Sequence, residues 1–165
     1  KDFPQKGILF RDVTTLLKDT KAFSLSIDLM VSQVKDLDVD YIAGVESRGF
    51  IFGAALAQRL NKGFIPIRKK GKLPCDTYQV AYELEYGTDY LEIDKTSVQK
   101  GESVLMVDDL LATGGTVCAA KELIELCGAS AKMAIFVIDL PELKGGERLV
   151  QNNLEYKSLI SFAGH

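Results

Sequence analysis

Residues 104–116 read V-L-M-V-D-D-L-L-A-T-G-G-T. Four apolar residues, Val104 to Val107, predict a buried strand that ends at Asp108 and Asp109. A small-residue loop, Ala112-Thr113-Gly114-Gly115-Thr116, then leads into a predicted helix from about Gly115 to Leu126, closed by Gly128. Such a loop can aim several backbone N–H groups at one anion, because glycine permits close approach and the helix N-terminus adds a favourable dipole. It is neither a Walker A loop, since G-x-x-x-x-G-K-[ST] is missing, nor the G-x-G-x-x-G dinucleotide loop. Adjacent carboxylates at a strand end repel each other unless something binds them, and vicinal sugar hydroxyls or a magnesium ion would do so. As a plain helix cap the pair would sit in solvent. Two acids between an apolar strand and a phosphate-type loop favour the ligand reading.

Outward from this stretch, strands and helices alternate. Asp19 or Thr20 is a plausible cap for a helix carrying Phe23, Ile27, Met30, Val34 and Leu37 at helical spacing. Tyr41–Val45 predicts a short strand, Phe50–Leu60 a helix stopped by Gly63, and Phe64–Ile67 a second strand. Residues 68–77 read as a basic loop, 78–84 and 90–93 as extended segments about a turn at Gly87, and Lys132–Leu140 as another strand. The expected fold is α/β, with a mostly parallel central sheet flanked by helices, in one domain spanning 1–165.

Composition removes other classes. The chain has 165 residues, 47% hydrophobic and 26% charged, which is a globular balance. No apolar run reaches the 18 or so residues of a membrane helix, and no apolar leader follows Lys1, so neither a membrane partner nor a signal peptide is expected. A net charge of −3 argues against nucleic acid as a partner. The cysteines, Cys75, Cys118 and Cys127, are odd in number and form no C-x-x-C pair, which reads as reduced thiols in a cytoplasmic protein. The sole histidine is His165, so triads and His-based metal sites are not expected.

The 104–116 run resembles the phosphoribosyl-pyrophosphate motif of the type I phosphoribosyltransferases. G-I-L-F-R-D at 7–12, Y-I-A-G-V-E-S-R-G-F at 41–50, I-R-K-K-G-K-L-P at 67–74 and L-E-Y-G at 84–87 are similar to the adenine-using branch of that family. The resemblance implies conversion of adenine and 5-phosphoribosyl 1-pyrophosphate (PRPP) to AMP and pyrophosphate. A transferase for another purine base, or a PRPP-sensing regulator of the same fold, is the alternative. It further implies a small N-terminal base-binding hood and a flexible catalytic loop. A helix preceding the hood that would complete the base lid is expected to be missing.

Residue roles follow from the resemblance. Asp108 and Asp109 hold the ribose hydroxyls, and Ala112, Thr113, Gly114, Gly115 and Thr116 wrap the 5-phosphate. Glu46, Ser47 and Arg48 form the pyrophosphate loop, with a non-proline cis peptide at Glu46-Ser47. Arg68 and Lys72 contact pyrophosphate, with Lys69 nearby. Glu85 takes the place of the general acid/base, and Tyr86 that of the aromatic closing over the reaction centre. Leu9, Phe10 and Arg11 read the adenine from one side, and Leu140 forms its other face. Asp139 stands where glutamate is frequent, with no role assigned. Mg2+ is expected, held by PRPP with no direct protein ligand, Asp108 or Asp109 acting through water. A homodimer is expected, because such a basic loop can reach a neighbouring subunit's site.

Overall fold

The computed structural model describes residues 12–84 and 87–163. One seven-stranded sheet runs through it, formed by β1 (Tyr41–Val45), β2 (Gly63–Lys69), β3 (Thr77–Leu84), β4 (Gly87–Asp94), β5 (Ser103–Leu111), β6 (Ser130–Asp139) and β7 (Glu155–Ser161), in the order β3-β4-β2-β1-β5-β6-β7. The pairs β1–β2, β1–β5, β5–β6 and β6–β7 are parallel, while the β3–β4 hairpin adds to β2 antiparallel. The expectation of a mostly parallel sheet holds.

Strand periodicity divides the core between two faces. In β5, Val104 and Met106 enter one cluster with Val117, Ala120, Leu123 and Leu149 of α4 (Gly115–Leu126) and α5 (Gly145–Gln151). Leu105 and Val107 enter the other, against Ile27, Met30 and Val34 of α2 (Thr20–Val34) and Phe52 and Leu56 of α3 (Arg48–Leu60). A strand buried on both faces reads as a continuous apolar run, which is why this segment was legible. Asp19 caps α2 as expected, its carboxylate accepting from the N–H groups of Lys21 and Ala22 at 3.0 and 2.9 Å.

Several boundaries differ from expectation. β5 does not end at the acids but continues to Leu111, because β6 pairs alongside it, Asp108 opposite Phe136 and Leu111 opposite Asp139. α3 begins at Arg48 rather than Phe50, and the left-handed residue that ends it is Asn61 (φ 55°), not Gly63, which opens β2. Arg68 and Lys69 belong to β2 rather than to a loop, since Arg68 and Lys69 pair with Glu92 and Leu91 of β4. The five-residue α1 (Thr14–Lys18), α5 and β7 were not anticipated; α5 opens on two glycines and β7 is a half-exposed edge, so neither has strong periodicity.

Candidate active site

A cavity of about 430 Å3 opens beyond the carboxyl ends of β1 and β5. Its walls bring together Glu46, Ser47 and Arg48 after β1, Asp108 and Asp109 in β5, and Ala112, Thr113, Gly114 and Thr116 of the following loop. In open α/β sheets this is where ligands bind, because strand ends splay and loops diverge there. The chain passes from β1 into α3 through a cis peptide at Glu46-Ser47. Gly49 lets α3 lie against β5, since a Cβ there would stand 2.9 Å from both Asp108 Oδ1 and the Val107 carbonyl oxygen.

Charge is paired inside this cavity. The Arg48 Nε–H donates to Asp109 Oδ2 in an ion pair, and Asp109 is only 4% exposed. Burial works against the Arg48 charge, but the hydrogen bond and charge of Asp109, with Asp108 and Asp12, hold its pKa above the ordinary arginine value. Asp108 is placed differently. Burial first, and the charge of Asp109 second, push its carboxyl well above the usual range, although its Oδ1 accepts the Asp109 N–H at 2.9 Å. The two acids are therefore unequal: Asp109 is neutralised by a cation, and Asp108 is the acid for which ionisation is costly.

The loop after β5 turns on Gly114, whose φ of 78° suits glycine, and α4 begins directly after it. The first-turn amides of a helix lack intrahelical acceptors, so the start of α4, beside the cavity-lining Thr113 and Thr116, is a suitable place for an anion. Gly115 has its own second contact, as a Cβ there would meet Arg148 Nη1 at 3.2 Å.

The basic segment divides between the cavity and its support. Lys69 lines the cavity, and its Nζ lies 3.1 Å from Asp89 Oδ2. Arg68 and Lys72 are not among the described residues lining it. Arg68 donates from Nε to Glu46 Oε2 at 3.3 Å and from Nη1 to the Lys72 carbonyl at 3.2 Å, and the Lys72 amide donates to Glu92 Oε1 at 2.9 Å. Glu46 also accepts the Lys69 N–H at 2.9 Å, so this carboxylate ties β2 to the loop after β1. Tyr82 is a wall residue that the sequence reading missed. Its hydroxyl donates to Asp89 Oδ2 at 3.2 Å, and burial, reinforced by the Asp89 charge, raises its pKa to about 12. The alternation of Tyr78, Val80 and Tyr82 along β3 was the available signal.

Leu140 is buried in the core at the end of β6 and is not among the described residues lining the cavity. Asp139 beside it is 6% exposed, its Oδ1 lacks a hydrogen-bond partner among the described residues, and burial raises its pKa. Leu9, Phe10, Arg11, Glu85 and Tyr86 lie outside the described residues. Among those described, no group of three or more His, Cys, Asp or Glu could hold a metal, and no helix is long and apolar enough to cross a membrane.

Residues 13–161 match the family model described as a phosphoribosyl transferase domain. An adenine phosphoribosyltransferase of Novosphingobium aromaticivorans is 52% identical over 164 residues, covering 99% of this chain and 92% of that protein. The crystal structure of adenine phosphoribosyltransferase from Thermoanaerobacter pseudethanolicus superposes with a TM-score of 0.94 at 50% identity, covering 98% of this chain and 92% of that one. The enzyme of the same name from Saccharomyces cerevisiae, complexed with adenine and an imino-altritol bisphosphate, gives a TM-score of 0.89 at 40% identity, covering 96% and 91%. The fold, the acid pair, the phosphate-type loop and these likenesses agree: the chain belongs to the phosphoribosyltransferase family, in its adenine phosphoribosyltransferase branch.

Proposed function

We propose that the chain transfers the phosphoribosyl group of PRPP to N9 of adenine, forming AMP and releasing pyrophosphate. The observation that carries this reading is the arginine-clamped acid pair set immediately before an amide-rich loop in one cavity. Hydroxyl-binding acids and a phosphate-binding loop at that spacing suit the two ends of a ribose 5-phosphate.

Roles then divide by chemistry. Asp109, fixed by Arg48, and Asp108 accept from the ribose 2- and 3-hydroxyls. The loop from Ala112 to Thr116 holds the 5-phosphate. Lys69 and Arg48 face the pyrophosphate, with Ser47 in the connecting loop; Glu46 orients Lys69 and Arg68, and Lys72 supports Arg68 through its carbonyl. Glu85 takes the proton lost from adenine N9, and Tyr86 shields the cationic sugar from water. Backbone groups of Leu9 and Arg11, flanking Phe10, read the base edge, the Phe10 ring stacks on the base, and Leu140 forms its other face. A base edge read by fixed donors and acceptors disfavours 6-oxopurines, whose pattern is reversed.

With two adjacent carboxylates, Asp108 and Asp109, in the cavity wall and no larger metal-binding cluster among the described residues, a magnesium ion would be held mainly by the substrate. Such ions are usually bound by one or two carboxylates together with substrate phosphates, and Asp108 or Asp109 would act through water. When bound, the ion would neutralise charge on the leaving pyrophosphate. The enzyme is further proposed to act as a cytoplasmic homodimer.

Product formation from PRPP with adenine, hypoxanthine, guanine and xanthine in turn is the direct test. AMP formation with little turnover of the other bases is expected. Turnover of a 6-oxopurine instead would reassign the base, and PRPP binding without turnover of any base would favour a sensor.

A further inference from the structure

The segment from Pro141 onward has no part in the proposed reaction, yet it lies against the loop after β5. A short 3-10 turn, Pro141–Leu143, and the left-handed Lys144 (φ 58°) bring the chain back so that α5 starts under the loop. A Cβ on Gly145 would overlap the Ala112 carbonyl oxygen and stand 2.8 Å from Leu111 Cδ1 and 3.0 Å from the Ala112 carbonyl carbon. The contact is reciprocal, as a Cβ on Gly114 would lie 3.1 Å from the Gly145 carbonyl oxygen. These atoms are mostly backbone on both sides, so neither partner can swing aside as a side-chain tip would. Gly146 is equally crowded, but by a side chain: its Cβ would overlap the Tyr156 hydroxyl and stand 2.6 Å from Tyr156 Cζ.

We propose that Gly145 is a positioning residue for the phosphate loop. Its bare backbone seats the Ala112 carbonyl and thereby fixes the direction in which the Thr113 to Thr116 amides point. Any side chain at 145 would lift Ala112 and turn those amides away from the 5-phosphate. The proposal rests on the reading of residues 112–116 as the 5-phosphate site, and ribose 5-phosphate is the probe that separates the two.

Calorimetric binding of ribose 5-phosphate and steady-state kinetics should be measured for the wild type, Gly145→Ala and Gly146→Ala, with melting temperatures for each. Gly145→Ala should raise KM for PRPP about 10- to 100-fold, the scale for an ångström-sized misplacement of a binding group. KM for adenine and kcat at saturation should stay within about twofold, because the interaction lost is with the phosphate alone. Gly146→Ala should lower the melting temperature while leaving KM for PRPP near wild type. An unchanged KM for PRPP in Gly145→Ala, or an equal rise in both variants, would overturn the proposal. No binding of ribose 5-phosphate by the wild type would overturn the phosphate reading and this proposal with it. If Gly145→Ala does not fold, hydrogen exchange on the wild type decides. Saturating ribose 5-phosphate should slow exchange in residues 145–151 more than in α2, and equal slowing in the two segments would refute the idea.

Discussion

Arg48, in the first turn of α3, is ion-paired to the buried carboxylate of Asp109 in β5, 61 positions further along the chain. The pair joins the start of α3 to β5 across one wall of the cavity. Among the described residues, Asp109 forms an ion pair with an arginine and Asp108 forms none. Arg48→Ala should strand a buried carboxylate and cost about 1–3 kcal/mol of stability, the range for an unsatisfied buried polar group. Combining it with Asp109→Asn should recover part of that loss. A urea-denaturation double-mutant cycle checks this, and strict additivity would show that the pair is not coupled.

Ionising Asp108 is costly in the folded protein, and pH should expose that cost. Its folded-state pKa is raised by burial and by Asp109, so its contribution to stability is fully present below the unfolded value near 3.8 and is lost as pH rises toward the folded value. Asp108→Asn removes that dependence. The variant should gain melting temperature over wild type progressively above pH 4, while its KM for PRPP rises far more than its KM for adenine. A melting difference that shrinks with rising pH would contradict the assigned direction.

Gly114 combines a φ of 78° with close approach to Gly145. Gly114→Ala should cost about 1–3 kcal/mol for a non-glycine residue in that region. It should also weaken PRPP binding with the circular dichroism spectrum preserved. Normal PRPP affinity in the folded variant, by calorimetry, would remove the loop from the phosphate site.

Glu85→Gln should lower kcat about 10²- to 10⁴-fold with binding of both substrates nearly unchanged, the usual loss for a missing general base. The amide keeps the shape of the carboxylate but cannot accept the proton. Glu83, exposed in β3 opposite Thr88, is the control, and Glu83→Gln should be mild. Single-turnover chemistry is the measurement. A small effect at Glu85 would assign the proton to water or to pyrophosphate, and a larger effect at Glu83 would shift the loop assignment.

The sequence by itself determined the parallel core and the two loops that meet at the cavity. Val104 to Val107 are apolar on both faces, and the glycines and acids that follow have few roles outside ligand binding, so local chemistry carried the reading of 104–116, whereas the loop at 46–48 was read from the family resemblance. It could not determine which cation faces the cavity. Arg68 and Lys69 are neighbours of the same charge, and strand alternation in β2 with Glu46 as acceptor directs Arg68 to a carboxylate and Lys69 to the cavity wall. Nor could it distinguish Asp108 from Asp109, since their difference comes from an arginine on another element. Strand alternation put Tyr82 on one face of β3 but did not say that this face meets the cavity, and Gly145 is placed only by a return of the chain after β6. Those relations depend on contacts between residues far apart in sequence, which only the packed tertiary structure creates.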